Sequence, residues 1–204
     1  MIRMQRVARA LAAAGTVLVV AATARAQEEA QPMPEMSAEE QAMMEAWQKA
    51  ATPGPPHEML AAMAGDWTFE GTFSMMPDQP PITSTGTATR TMVLGGRVLV
   101  EKVTSSFMGQ PFEGHGMTGY DNVTGTYWST WMDNASTALM TSTGSCDQGR
   151  CEFTATVVDP MTGQPARMRM TSEQGPDSEL HHAYEVAEDG TERLTMELRY
   201  TRAE

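Results

Sequence analysis

From Trp67 onward, short turn-forming clusters interrupt the chain about every dozen residues, a punctuation that limits it to an all-β fold of short strands. The breaks fall at residues 77–81, Gly95-Gly96, Gly109-Gln110-Pro111, 121–125, Asp133-Asn134, 147–149, 159–163, Gly175-Pro176-Asp177 and Asp189-Gly190. The runs between them are rich in Thr, Val, Met and aromatic residues, which suit a pleated, half-buried surface. About ten strands result, joined mostly by hairpin-length connections, so consecutive strands should be antiparallel neighbours. An up-and-down meander of that size is expected to close into a barrel, which removes both sheet edges and leaves room for one small ligand. The last run shows the alternation best. Leu194, Met196, Leu198 and Tyr200 lie on one face, Arg193, Thr195, Glu197 and Arg199 on the other.

Ahead of the sheet the composition changes. Arg3, Arg6 and Arg9 precede an uncharged run over 10–24 that is too short to span a bilayer, and Ala24-Arg25-Ala26 places small residues where a signal peptidase reads. Residues 1–26 are therefore expected to be a signal peptide cleaved after Ala26, making the protein secreted and periplasmic, with no membrane insertion after cleavage. Residues 27–56 form an acidic segment rich in Pro and Met, in which Ser37 and Glu40 read as a capping box for a helix with Met43, Met44 and Trp47 on one side. Thr52-Pro53-Gly54-Pro55-Pro56 ends that helix, and a second, from His57 to Ala64, is expected to plug one end of a barrel domain spanning 57–204. The leader holds four of the fourteen basic residues and none of the 26 acidic ones, so the processed chain carries a formal charge of −16. Such a charge disfavours nucleic acid and anionic membrane surfaces as partners.

The search for chemistry is mostly negative. A serine nucleophile elbow, a phosphate-binding glycine loop and a paired-histidine zinc helix are all missing. Asp121-Asn122-Val123-Thr124-Gly125 and Asp159-Pro160-Met161-Thr162-Gly163 share a pattern, but each has too few carboxylates for calcium and reads as an Asp-to-Gly hairpin turn. Cys146 and Cys151 flank a four-residue loop and should pair as a disulfide across two strands in an oxidising compartment. The chain has 19 Met and almost no Ile, which points to Met as the adaptable filler of a core or pocket wall. His115 and His182 are the histidines considered for an inward position and hence for a single axial bond to haem iron, His182 because it shares a strand face with Leu180, Tyr184 and Val186. Two Tyr and two Trp gather around one hairpin, with Tyr127 and Trp131 on one face and Trp128 on the other.

The segments "HEMLAAMAGDW", "LGGRVLVEKV", "GQPFEGHGMTGYDNVTGTYWSTWMDN", "DPMTGQPARMRM" and "ELRYTR" make residues 56–202 resemble a bacterial family known as domain of unknown function 1579. That resemblance implies no activity and no catalytic residues, and the cysteine pair is not part of its pattern. More distantly, a short helix followed by Gly-x-Trp resembles the lipocalin and fatty-acid-binding (calycin) barrels. It implies that Gly65 and Trp67 belong to the closed end, with Arg202 over the tryptophan because it shares strand parity with Leu198 and Tyr200. The favoured expectation is a non-enzymatic barrel that binds a small, largely apolar molecule through Arg97, His115, Tyr120, Tyr127, Trp131, His182 and Tyr184. A haem-binding barrel acting on small oxidants or nitrogen oxides, and a packed envelope protein without a ligand, are the alternatives. An enzyme would require Arg97, His115 and a carboxylate to converge in a deep pocket.

Overall fold

The structure, a computed structural model, describes residues 36–204. The signal peptide expected over 1–26 and the start of the acidic segment lie outside the described residues. Helix α1 (Ala38–Ala51) begins directly after Ser37, and helix α2 (Pro55–Ala62) follows. α2 starts two residues earlier than the sequence suggests. Pro55 and Pro56 occupy its first turn, where a missing N–H is harmless, and His57 Nδ1 accepts the Gly54 N–H at 3.1 Å.

Ten strands follow: β1 (Gly65–Phe73), β2 (Ile82–Val93), β3 (Val98–Phe107), β4 (Gln110–Asp121), β5 (Thr126–Asp133), β6 (Met140–Asp147), β7 (Arg150–Val158), β8 (Pro165–Gln174), β9 (Ser178–Val186) and β10 (Glu192–Arg202). Each pairs antiparallel with its sequence neighbours, and β1 pairs with β10 to close the barrel. The nine expected breaks are the nine connections. The Asp121 and Asp159 turns share one geometry: the Asp carboxylate accepts the amide two residues on, at 2.8 and 2.7 Å, and the Gly four residues on donates to the Asp carbonyl. Those hydrogen bonds hold both exposed carboxyls below the ordinary aspartate range.

α2 closes the end of the barrel where β1 begins. Leu60, 1% exposed, packs with Leu99 and Tyr127, flanked by Met59, Met63 and Tyr120. Trp67 enters the core one turn later, also 1% exposed, beside Phe69, Ala88, Val103 and Tyr200. Arg202 ties helix to barrel by donating to the Ala64 and Ala62 carbonyls at 2.8 and 2.9 Å, satisfying acceptors that the helix end leaves open. Gly65 is required at this junction. Its φ is +131°, and a Cβ there would meet Arg202 Nη1 at 2.6 Å.

No residue of α1 is buried, and Met43, Met44 and Trp47 are exposed. Its C-terminal end is held by hydrogen bonds, since Asn122 Nδ2 donates to the carbonyls of Lys49, Ala50 and Thr52, and Arg97 Nη2 to that of Ala51.

Candidate ligand-binding cavity

Directly opposed residues of antiparallel strands share a face, so the inward row of one strand fixes that of the next. Leu198 and Tyr200 point inward on β10, and their register partners on β9 are His181 and Glu179. Around the barrel, the same rule brings Arg90 of β2 opposite Glu101 of β3. These inward side chains meet in one cluster beneath Trp67. Arg90 Nε donates to Glu101 Oε1 at 2.7 Å and Nη1 to Glu179 Oε2 at 2.5 Å. The guanidinium carbon lies 5.1 Å from the centroid of Trp67 and 4.6 Å from that of Tyr200, and Arg202 covers Trp67 at 4.4 Å.

Burial alone would weaken the Arg90 cation, but Glu101 and Glu179 more than offset it and leave its pKa above the ordinary value. Burial, then Glu101, pushes the Tyr200 hydroxyl well above the usual tyrosine range. His181 lines the interior, and among the described residues none hydrogen-bonds either ring nitrogen. Burial lowers its pKa from 6.5 to about 4, with Arg90 and His182 adding to the effect and Glu101 opposing it, so the ring is neutral at pH 7.

Above this cluster runs a cavity of about 360 Å³. Its wall combines thioether and aromatic side chains with Ser and Thr hydroxyls: Met59 from α2 and Met63 just after it, then Phe69, Trp131, Met140, Phe153, Met170 and Met196, with Ser129, Thr130 and Ser142 between them and Phe73, Phe107 and Phe112 toward the far end. Phe73 and Phe107 meet edge to face there at 5.5 Å. Trp131 is seated by glycines, because a Cβ on Gly114 would lie 2.4 Å from its ring. Its Nε1 donates to Asp133 Oδ2 at 2.8 Å, which satisfies the one polar atom of the indole. The Cys146–Cys151 disulfide forms between directly opposed residues of β6 and β7 and lines the same space.

Of the seven residues expected to bind ligand, Trp131 lines the cavity. Tyr120 and Tyr127 point inward but lie beneath α2, their rings 4.7 Å apart, with the Tyr127 hydroxyl 3.5 Å from the Pro56 carbonyl. The other four do not line the cavity. Arg97 sits in the β2–β3 turn, where it donates to the Leu94, Gly95 and Ala51 carbonyls. His115 is on the outer wall of β4 beside Glu113, at 3.1 Å. His182 is also on the outer wall, 3.0 Å from Glu197, and Tyr184 lies there under the Arg169 guanidinium at 4.5 Å.

On β9 the difference has a specific cause. The face bearing Leu180, His182, Tyr184 and Val186 is the more apolar, which favours it for the interior, but pairing with β10 turns Glu179, His181 and Ala183 inward instead. The charge this buries, on Glu179, is compensated by Arg90 of β2, across β10 and β1 in the barrel wall. With His115 and His182 outside, neither histidine proposed as a haem ligand faces the interior, and Arg97 and His115 do not converge on a pocket. Among the described residues, no group of three or more His, Cys, Asp and Glu is placed to hold a metal ion.

The polar cluster carried one legible signal. Thr83, Thr85, Thr87, Thr89 and Thr91 form an unbroken row along β2, and a row of five hydroxyls belongs on the solvent face. Arg90 must then share the inner face with Ile82, Ala88 and Met92.

A family model described as "Protein of unknown function (DUF1579)" matches residues 52–202. No curated protein matches the chain. Among solved structures, the crystal structure of Rv2717c from M. tuberculosis is similar with a TM-score of 0.55 at 14% identity, covering 75% of this chain and 100% of that one. At that identity the likeness concerns the fold.

Proposed function

The chain belongs to the DUF1579 family, and from that premise we propose that it is an exported, non-enzymatic barrel protein that binds a small, largely apolar molecule in its interior. The observation that carries this reading is the cavity of about 360 Å³ walled by Met and aromatic side chains. A space of that size falls within the range of small-molecule pockets, and burying a ligand's apolar surface gains about 25 cal/mol per Å² without any reacting group. The same space argues against a solidly packed envelope protein. Methionine is the suitable lining for a site that adapts to its occupant.

Export is supported by the paired cysteines, which belong to an oxidising compartment. The outer wall carries Glu70, Lys102, Glu113, Arg169 and Arg199, side chains unsuited to face lipid. A processed protein that stays out of the membrane is consistent with both features.

The test uses a neutral fluorescent probe, N-phenyl-1-naphthylamine, titrated into the purified protein. Saturable one-to-one binding is expected, and Ser129→Phe, which fills the cavity from β5, should weaken it at least about tenfold while leaving cooperative unfolding intact. Equal binding by the filled variant would place the probe elsewhere.

A haem-binding reading keeps one observation in its favour: His181 presents a neutral imidazole with no hydrogen-bond partner to the cavity. A Soret band on adding hemin that disappears in His181→Ala would replace the carrier reading with that one.

A further inference from the structure

We propose that the closed end of the cavity is a receptor for a cationic head group, so that the ligand is an apolar molecule bearing a single protonated amine. The inference rests on the cavity being a ligand site and adds the chemistry of its polar end.

The charged side chains that line the cavity are Arg90, Glu101, Asp133 and Glu179. Among the described residues Arg90 is the only cation that lines the cavity, and it is already paired with two carboxylates: Nε serves Glu101 and Nη1 serves Glu179, while its faces lie against Trp67 and Tyr200. A carboxylate ligand therefore meets a guanidinium whose charge two carboxylates already more than balance. Each glutamate gives one oxygen to Arg90, which leaves Glu101 Oε2 and Glu179 Oε1 without a hydrogen-bond donor from the protein. One guanidinium between two carboxylates has a formal charge of −1, and Glu179 is only 6% exposed, so bulk water does little to screen that charge. His181, neutral at pH 7, adds an acceptor beside the cluster rather than a second cation. An ammonium group would neutralise the site and donate to both unpaired oxygens. A third carboxylate would add to the repulsion in a space where it is poorly screened.

The test is a comparison of decylamine, decanol and decanoate by isothermal titration at pH 7 and roughly 0.15 M salt, where surface charge is largely screened. The three share one chain and differ only in the head group. Decylamine should bind about tenfold or more tightly than decanoate, with decanol between them. Glu179→Gln and Glu101→Gln should each reduce that preference at least about threefold. Glu70→Gln, an equal loss of charge on the outer wall, should leave it unchanged, and if Glu179→Gln fails to fold, Glu101→Gln carries the comparison. Decanoate binding as well as the amine would overturn the proposal, as would a preference that Glu70→Gln abolishes and the cavity variants do not. If decanol binds but the amine gains nothing over it, the head-group assignment fails and the apolar carrier stands. If none of the three binds, both fall.

Discussion

Arg90 is enclosed by two carboxylates and two aromatic faces, so its removal does more than delete one cation. Arg90→Met leaves Glu101 and Glu179 facing each other without compensation, and a buried pair broken on one side typically loses about 3–5 kcal/mol. Urea unfolding should register a loss of that order; a loss below about 1 kcal/mol would mean that water already solvates the cluster. His181 supplies a second residue-scale test. Its pKa of about 4 lies below the ordinary 6.5, so between those values the unfolded chain takes up a proton that the folded chain refuses. Its contribution to stability is therefore complete above about pH 6.5 and is lost as pH falls toward about 4. His181→Gln should remove on the order of 2 kcal/mol of that decline, read as the difference between unfolding free energies at neutral pH and near pH 4.5. Superimposable pH profiles for the two proteins would rule it out. The choice between His181 and His182 was not legible in β9 itself, whose two faces each mix polar and apolar residues. It is decided by pairing with Leu198 and Glu197, which is information between strands.

At the scale of elements, helix α2 is short and depends on what holds it. Its N-terminal turn is fixed by prolines and His57, its underside by Leu60, and its C-terminal carbonyls by Arg202. Arg202 also stacks on Trp67, whose own Nε1 donates to the Met63 carbonyl at 3.0 Å. Arg202→Ala removes both the cap and the stacking and should lower stability by about 1–2 kcal/mol. Amide exchange should quicken first in 60–64, and protection unchanged there would show that packing of Leu60 alone seats the helix. The Gly-x-Trp pattern made this junction legible from few residues, because a glycine with φ +131° is hard to replace between a helix and a strand. The attachment of α1 was not legible. Asn122 reads as a turn residue in its own hairpin, and its hydrogen bonds to Lys49, Ala50 and Thr52 span 70 to 73 positions.

At the scale of the whole molecule, strand number, order and closure followed from turn spacing, since nine hairpins leave an antiparallel chain little choice of neighbours. The contents of the barrel were harder to read. A sequence rule that turns apolar faces inward finds Trp131, the inner face of β5 and that of β10 from Met196 to Tyr200; it misses the register shift between Leu194 and Met196 that pairs Leu194 with Tyr184 on the outer wall, and it fails where the interior is built from compensated charge. Arg90, Glu101, Glu179 and His181 come from strands far apart in the chain and make sense only together. The result is an apolar chamber with a polar floor, an arrangement suited to holding a small amphiphile and holding it in one orientation. Native mass spectrometry of the protein purified from its own compartment tests that account most directly. A reproducible added mass, released on unfolding and reduced in Ser129→Phe, is the result expected. An apo mass in every preparation, for wild type and variant alike, would contradict it.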